Sequence, residues 1–132
     1  MTIKYNNVFI EDAYTICGNY ENDGPLSKYF DKKYEKDLYF GEKSWEQAEV
    51  HLLKEANTNI LKKNKLKEED IDLLISGDLQ NQIAASNYMA REFNIPFLGI
   101  FEACSTSGEG LAIGSTYIEG GFAKRILVST SS

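Results

Sequence analysis

Short apolar runs that alternate with helical patterns are the feature that most constrains the fold of this chain. The runs at 73–75, 97–101 and 126–128 are brief and continuous, which predicts strands covered on both faces. Residues 8–16 are rich in β-branched and aromatic side chains and predict an earlier strand. With helices between the strands, the predicted order is β-α-β-α-β-α-β. We therefore expect an α/β fold, with a mostly parallel sheet and helices on both faces.

The predicted helices have recognisable ends. Ser44, followed by Gln47 three residues later, forms a capping box for a helix that runs to about residue 63. A second helix is predicted from residue 81 or 82 to about 94. A third is predicted over 105–119, where two glycines provide a stop. Residues 18–43 contain six aromatic side chains, so we expect a packed excursion there and not a disordered loop.

Charge and cysteine content exclude several classes of function. The net charge is -6, from 20 acidic and 14 basic residues, which argues against a broad nucleic-acid surface. The two cysteines, Cys17 and Cys104, are too few for a disulfide framework and form no CxxC pair. The sequence shows neither a signal peptide nor an apolar run of the ~20 residues that span a bilayer.

Cys104 lies where the strand at 97–101 is expected to turn into the small-residue helix at 105–119. A thiol at a helix N-terminus feels the positive end of the helix dipole, which stabilises the thiolate. The same position suits a bound carboxylate, and the hydroxyls of Ser105 and Thr106 could add donors. From spacing alone, a small buried cysteine is equally consistent with the pattern.

A nucleophilic cysteine needs a base, and the chain offers only one histidine. His51 is predicted on the flank of the first long helix, exposed, with nothing in the sequence to bring it to Cys104. Residues 1–132 therefore do not supply a complete cysteine–histidine pair for nucleophilic catalysis. Cys17 follows the first predicted strand and is expected to pack in the core.

A second candidate segment, 78–82, follows the carboxyl end of the strand at 73–75, on the same edge of the sheet as Cys104. Ligands of open α/β sheets bind beyond that edge. Asp78, Asn81 and Gln82 are therefore candidate ligand-binding residues. Capping of the following helix by Asp78 or Asn81 is the alternative, and the two roles are compatible.

Several segments resemble the N-terminal half of the thiolase-like superfamily, which includes thiolases and ketoacyl synthases. Within it, the chain is most similar to the stage V sporulation protein AD family of spore-forming Firmicutes. The matching segments are 24–26, 30–31, 37–46 (DLYFGEKSWE), 66–77, 77–82 (GDLQNQ), 94–99, 103–107, 109–112 and 120–123. The resemblance extends from about residue 8 to the end.

The resemblance implies a sporulation protein that binds dipicolinic acid, free or as its calcium chelate, and supports its uptake into the developing spore. It implies no catalysis, no cofactor and no metal site. The partners would be the membrane proteins of the SpoVA channel complex, and the protein would lie peripherally at the forespore or spore inner membrane. The resemblance places Cys104 in the ligand pocket, and the positions argued above add Ser105, Thr106, Asp78, Asn81 and Gln82 as candidate ligand-binding residues.

The resemblance also implies a homodimer through the strand between Pro96 and Ala103. Nothing follows the last predicted strand to cover it, and family members are more than twice this length. We therefore expect residues 1–132 to be the N-terminal part of a thiolase-like domain. Two other functions stay open: a condensing acyltransferase that uses Cys104 as its nucleophile, and a purely structural adaptor.

Overall fold

The computed structural model describes residues 2–131, which form five strands and four α-helices. In chain order these are β1 (Ile16–Cys17), α1 (Asn19–Asn22), β2 (Lys32–Lys33), α2 (Trp45–Lys63), β3 (Leu73–Gly77), α3 (Ala84–Ala90), β4 (Phe97–Gly99), α4 (Thr106–Glu119) and β5 (Ile126–Thr130). Short 3₁₀ turns occupy Ser27–Tyr29, Glu68–Asp70, Asn81–Ile83 and Ala103–Ser105.

The main sheet has three parallel strands in the order β4-β3-β5. The central strand is covered on both faces, because its side chains alternate between two helical layers. Leu74 is fully buried in a cluster that includes Leu53 of α2 and Met89 of α3. Ile75, also fully buried, faces the opposite layer and lies near Gly114 of α4. The predicted α/β architecture with helices on both faces is confirmed.

The small residues of α4 allow this helix to approach the sheet closely. A Cβ at Gly110 would overlap the side chain of Val128, and one at Gly114 would lie 3.5 Å from Ile126 Cγ2. A larger residue at Gly110 would therefore push the helix away from β5. The helix ends as predicted, with Gly121 in the left-handed region at φ 76°.

The long helix α2 begins and ends as predicted. The Ser44 hydroxyl accepts a hydrogen bond from the Gln47 backbone N–H at 3.3 Å, whereas the Gln47 side chain accepts from the N–H of Lys43. At the other end, Lys65 has a φ of 55°, which stops the helix. The apolar side of α2 carries Leu53 and Leu61 into the core beneath α3 and the sheet.

The predicted first strand over 8–16 is wrong: only Ile16 and Cys17 are paired, with Lys32 and Lys33 of β2. The composition of residues 8–16 favours extended backbone, but a strand also needs a partner. No strand lies beside this segment within residues 2–131. It is instead tied to the surface by side chains, with Glu11 bound to Arg125 at 2.8 Å and Asp12 bound to Lys63 at 2.9 Å.

Two predicted boundaries also move. The helix expected from 81 or 82 to 94 is the shorter α3, because Gln82 and Ile83 have positive φ angles of 57° and 49° and cannot continue a helix. Likewise, the 3₁₀ turn Ala103–Ser105 delays the start of α4 to Thr106. The strand predicted over 97–101 is paired only as far as Gly99.

The excursion, residues 18–43, is ordered as predicted and carries α1, a 3₁₀ turn and β2. Tyr34 and Phe40 pack edge to face, with ring centroids 4.7 Å apart. Other aromatic side chains of the excursion, including Tyr20 and Tyr29, are largely exposed. Across residues 2–131, none of the helices has the combination of length and apolar character that bilayer crossing requires.

Candidate functional site

Two turns meet at the carboxyl edge of the main sheet. One is the Asp78 loop, residues 78–83, which follows β3. The other is the Cys104 turn, residues 100–105, which follows β4. A Cβ on Gly77 would overlap Ile100 O and the Thr106 side chain, and one on Gly99 would overlap Ile83. The structure therefore places the two predicted segments side by side, and glycines permit the close approach.

Asp78 organises the first of these turns. Its side chain is fully buried, with Oδ1 accepting from the Gln80 N–H at 2.9 Å and Oδ2 from the Ser86 N–H at 2.7 Å. The second bond reaches the first turn of α3, so the capping role is confirmed. Both carboxylate oxygens are occupied in this way, and direct contact between Asp78 and a ligand stays a prediction.

Asn81 and Gln82 lie on the outside of the Asp78 loop and are exposed. Within residues 2–131 neither side-chain amide has a hydrogen-bond partner, although the Gln82 carbonyl accepts from Asn87 Nδ2 at 3.1 Å. Both amides are thus available to bind a ligand. The adjacent Gln80 side chain instead donates to Glu49 of α2 at 2.7 Å, which fastens the loop to the helical layer.

Cys104 is exposed at the centre of the second turn. The turn is tight, because Ala103 has a φ of 45°, a conformation that non-glycine residues rarely adopt. Of the two sequence alternatives, the simple buried cysteine is excluded. Cys17, by contrast, is buried as expected, and burial raises the pKa of its thiol, which keeps it protonated.

The hydroxyls predicted to face a ligand are used within the turn. Ser105 Oγ donates to Glu102 O at 2.9 Å, and Thr106 Oγ1 donates to Ala103 O at 2.7 Å. Thr106 is 1% exposed, so its side chain stabilises the turn from inside. Ser105 makes no side-chain capping bond to the first turn of α4. The first backbone N–H groups of that helix therefore lack the usual side-chain cap.

Open space lies above this end of α4. A Cβ built on Gly108 meets no atom within 4 Å, and Ser107 and Gly108 are both exposed. Two acidic residues, Glu102 and Glu109, lie on either side of the start of α4 along the chain. Sequence reasoning missed Glu109, whose Oε2 is shielded from solvent and has no hydrogen-bond partner within residues 2–131. Its acidic character among the small residues of α4 was the available signal.

His51 does not join Cys104. It lies on α2, where its ring nitrogens contact Glu42 and Tyr34, and its side chain is about one-third exposed. The expectation of a simple exposed position is therefore wrong, because the excursion covers the ring. Within residues 2–131 no group of three or more His, Cys, Asp or Glu side chains is arranged to hold a metal ion.

A separate groove of about 840 Å³ runs over the layer formed by α2 and α3. It borders the Asp78 loop at Gln80 and the start of α3 at Ala84, but it does not include Cys104. Its lining contains both positive and negative side chains. The positive ones include Lys54, Lys62 and Arg91, and the negative ones include Glu46 and Glu92.

Comparison with known proteins identifies the family to which this arrangement belongs. Residues 1–132 match the family Stage V sporulation protein AD (SpoVAD) along their whole length. The chain belongs to the SpoVAD family. It is 50% identical over 125 residues to stage V sporulation protein AD of Bacillus subtilis strain 168, an alignment that covers 95% of this chain and 37% of that protein. This SpoVAD family chain thus spans little more than a third of the length of that relative.

The solved structures place the SpoVAD family chain among thiolase-like proteins. The crystal structure of 3-oxoacyl-[acyl-carrier-protein] synthase III from Aquifex aeolicus VF5 superimposes with a TM-score of 0.52 and 25% sequence identity. The superposition covers 68% of this chain and 30% of that one. The thiolase-like fold expected from the sequence is confirmed.

Proposed function

We propose that this chain supplies one wall of a dipicolinic acid site in a sporulation protein that supports uptake of the acid into the developing spore. Membership of the SpoVAD family supports the sporulation role. The observation that carries the binding role is the open, uncapped start of α4 beside Cys104 and the free amides of Asn81 and Gln82. Backbone N–H groups at a helix start attract carboxylates.

The surrounding charges favour the calcium chelate as the ligand. The free acid is a dianion near neutral pH, and two acidic residues, Glu102 and Glu109, lie within five residues of Cys104 along the chain. Like charges at close range repel, whereas a cation bound between ligand and protein carboxylates reverses the sign of that interaction. The chelate is therefore expected to bind more tightly than the free dianion.

Equilibrium binding to the full-length protein tests the site. Calorimetric titrations would use dipicolinate with calcium, dipicolinate with a calcium chelator, and calcium alone. Saturable binding that is weakened severalfold by Cys104→Ala is expected, with the chelate the tighter ligand. Cys17→Ala is the matched control, because that cysteine is buried and away from the turn, and it should bind like the wild type. Absence of saturable binding in both dipicolinate titrations would refute the proposal.

A second function has a specific observation in its favour. The superimposed relative is a 3-oxoacyl-[acyl-carrier-protein] synthase, and Cys104 is exposed on a constrained turn. We propose acyl transfer to Cys104 as this alternative: the Cys104 sulfur attacks the acyl thioester, the new thioester forms on Cys104, and coenzyme A leaves as its thiol. The base that takes the Cys104 proton would come from outside the described residues. Mass spectrometry after incubation with an acyl-coenzyme A decides it. An acyl adduct that Cys104→Ala abolishes would establish transfer, and absence of the adduct would refute it.

We further propose that the protein acts at the forespore or spore inner membrane, together with membrane proteins of the SpoVA complex. Spores that carry Cys104→Ala as the sole copy should contain less dipicolinate than wild-type spores. Normal dipicolinate content in those spores would separate the cysteine from uptake.

We also propose that the protein forms a homodimer through residues 96–103. Support for the dimer comes from β4, which is one of the two outer strands of the described sheet, and from Phe101, which is 64% exposed.

A further inference from the structure

A chain of polar contacts fastens the excursion to α2 and centres on His51. The His51 Nδ1 lies 3.0 Å from Glu42 Oε1, and its Nε2 lies 3.2 Å from the Tyr34 hydroxyl. Tyr34 in turn lies 2.8 Å from Glu55 Oε2, and Lys32 binds the other oxygen of Glu55. His51 and Glu55 belong to α2, whereas Lys32, Tyr34 and Glu42 belong to the excursion.

The protonation states of the neighbours decide how many contacts can form at once. Burial raises the pKa of Tyr34, which therefore keeps its single hydroxyl proton. Burial also raises the pKa of Glu55, but hydrogen bonds from Lys32 and Tyr34 outweigh it and lower that pKa overall. Glu55 is thus an ionised acceptor, and the Tyr34 proton points towards it.

Counting protons then distinguishes the two forms of the imidazole. A carboxylate only accepts, so Nδ1 must donate to Glu42. With the Tyr34 proton directed at Glu55, the phenol oxygen can only accept, so Nε2 must donate as well. Both ring nitrogens carry a proton only in the imidazolium form. In the neutral form with hydrogen on Nδ1, Tyr34 can serve either Nε2 or Glu55, and one contact is lost.

The surrounding charges also suit the imidazolium. The ring lies between the carboxylates of Glu42 and Glu55, with Nε2 3.9 Å from Glu55 Oε2, and Lys32 balances the second of these. Together the four groups sum to zero when His51 is charged. Other charged side chains of the same groove, from α2 and α3, are Glu46, Lys54, Arg91 and Glu92. Within residues 2–131 the ring makes no ion pair or hydrogen bond with any of these four.

We propose that His51 is a pH-dependent latch, which when protonated completes the Glu42–His51–Tyr34–Glu55–Lys32 chain and holds the excursion against α2. The latch forms when the imidazole carries both protons and opens when it loses one, so it strengthens as the pH falls. It operates two residues along α2 from Glu49, which binds the Asp78 loop through Gln80. The latch is independent of which ligand the protein binds.

Hydrogen exchange of the full-length protein at pH 5.5 and pH 7.5 tests the latch, after correction for the intrinsic exchange rates. In the wild type, protection of peptides covering 30–43 should be about fivefold higher at pH 5.5, the effect expected for one partly exposed charge-assisted bond. His51→Gln should remove this pH dependence. Glu46→Gln is the matched control and should retain it, because among the described residues Glu46 makes no hydrogen bond or ion pair with the ring.

Glu42→Gln is a second variant that tests the latch if His51→Gln fails to fold. It removes the charge partner of Nδ1 at a partly exposed position, and the pH-dependent change in protection should shrink to less than half. Equal protection of the wild-type excursion at the two pH values would overturn the proposal. The proposal would also be overturned if protection of the excursion still depended on pH in both His51→Gln and Glu42→Gln.

Discussion

Gly77 is one of two glycines that let the two candidate turns approach each other, and Gly77→Ala tests that close approach directly. A Cβ at Gly77 would overlap the backbone oxygen of Ile100 and the side chain of Thr106. The carbonyl cannot move alone, because the Ile100 N–H is bonded to Ser76 O at 3.0 Å and holds this segment beside β3. The added methyl must therefore push the Cys104 turn away from the sheet.

The expected change in the free energy of unfolding is the sum of two opposing effects. Overpacking of a tight site costs about 1–3 kcal/mol, with backbone neighbours towards the upper end. The smaller conformational entropy of an unfolded alanine chain returns about 0.4–1 kcal/mol. We expect Gly77→Ala to lower the free energy of unfolding by about 2 kcal/mol.

Gly108→Ala is the matched control for the same chemical change. Its Cβ enters open space within α4, where alanine is favoured over glycine by about 1 kcal/mol. This variant should be slightly more stable than the wild type. Urea unfolding followed by circular dichroism at pH 7.5 measures both changes. If Gly77→Ala were as stable as the wild type, the two turns could not pack as closely as described.

Three further outcomes are expected. Asp78→Asn should cost about 2–3 kcal/mol in urea unfolding, because one backbone N–H loses its charged acceptor; a loss below about 1 kcal/mol would contradict the capping role. Hydrogen bonds from the backbone N–H groups of Lys124 and Arg125 lower the pKa of Asp72 in the folded protein. Ionised Asp72 therefore stabilises the folded protein fully above the unfolded-state pKa, and this stabilisation is lost as the pH falls through the folded-state pKa. Between pH 5 and pH 3, Asp72→Asn should therefore lose less stability than the wild type, and parallel profiles would refute this. Phe101→Glu should convert a homodimer to monomer in light scattering; an unchanged mass would exclude an interface centred on that side chain.

The site could be predicted only in part, because a sequence gives position along the chain but not the partners of each polar atom. The meeting of the Asp78 loop with the Cys104 turn follows from parallel strands, whose carboxyl ends share one edge. The sequence did not show that the Ser105 and Thr106 hydroxyls donate to nearby carbonyls, since serine and threonine can bond either a ligand or their own turn. The shielded oxygen of Glu109 was equally invisible.

The sequence by itself determined the elements whose signals are local. The Ser44 cap, the apolar spacing of α2, the buried run of β3 and the glycine stop after α4 act over a few residues, and each element formed as expected. Tertiary structure alone decided the rest. Residues 8–15 form no strand because a strand depends on its neighbour, and α3 begins late because the loop packs Ile83 against Gly99. His51 acquires its partners for the same reason, because only the folded excursion brings Tyr34 and Glu42 to the ring.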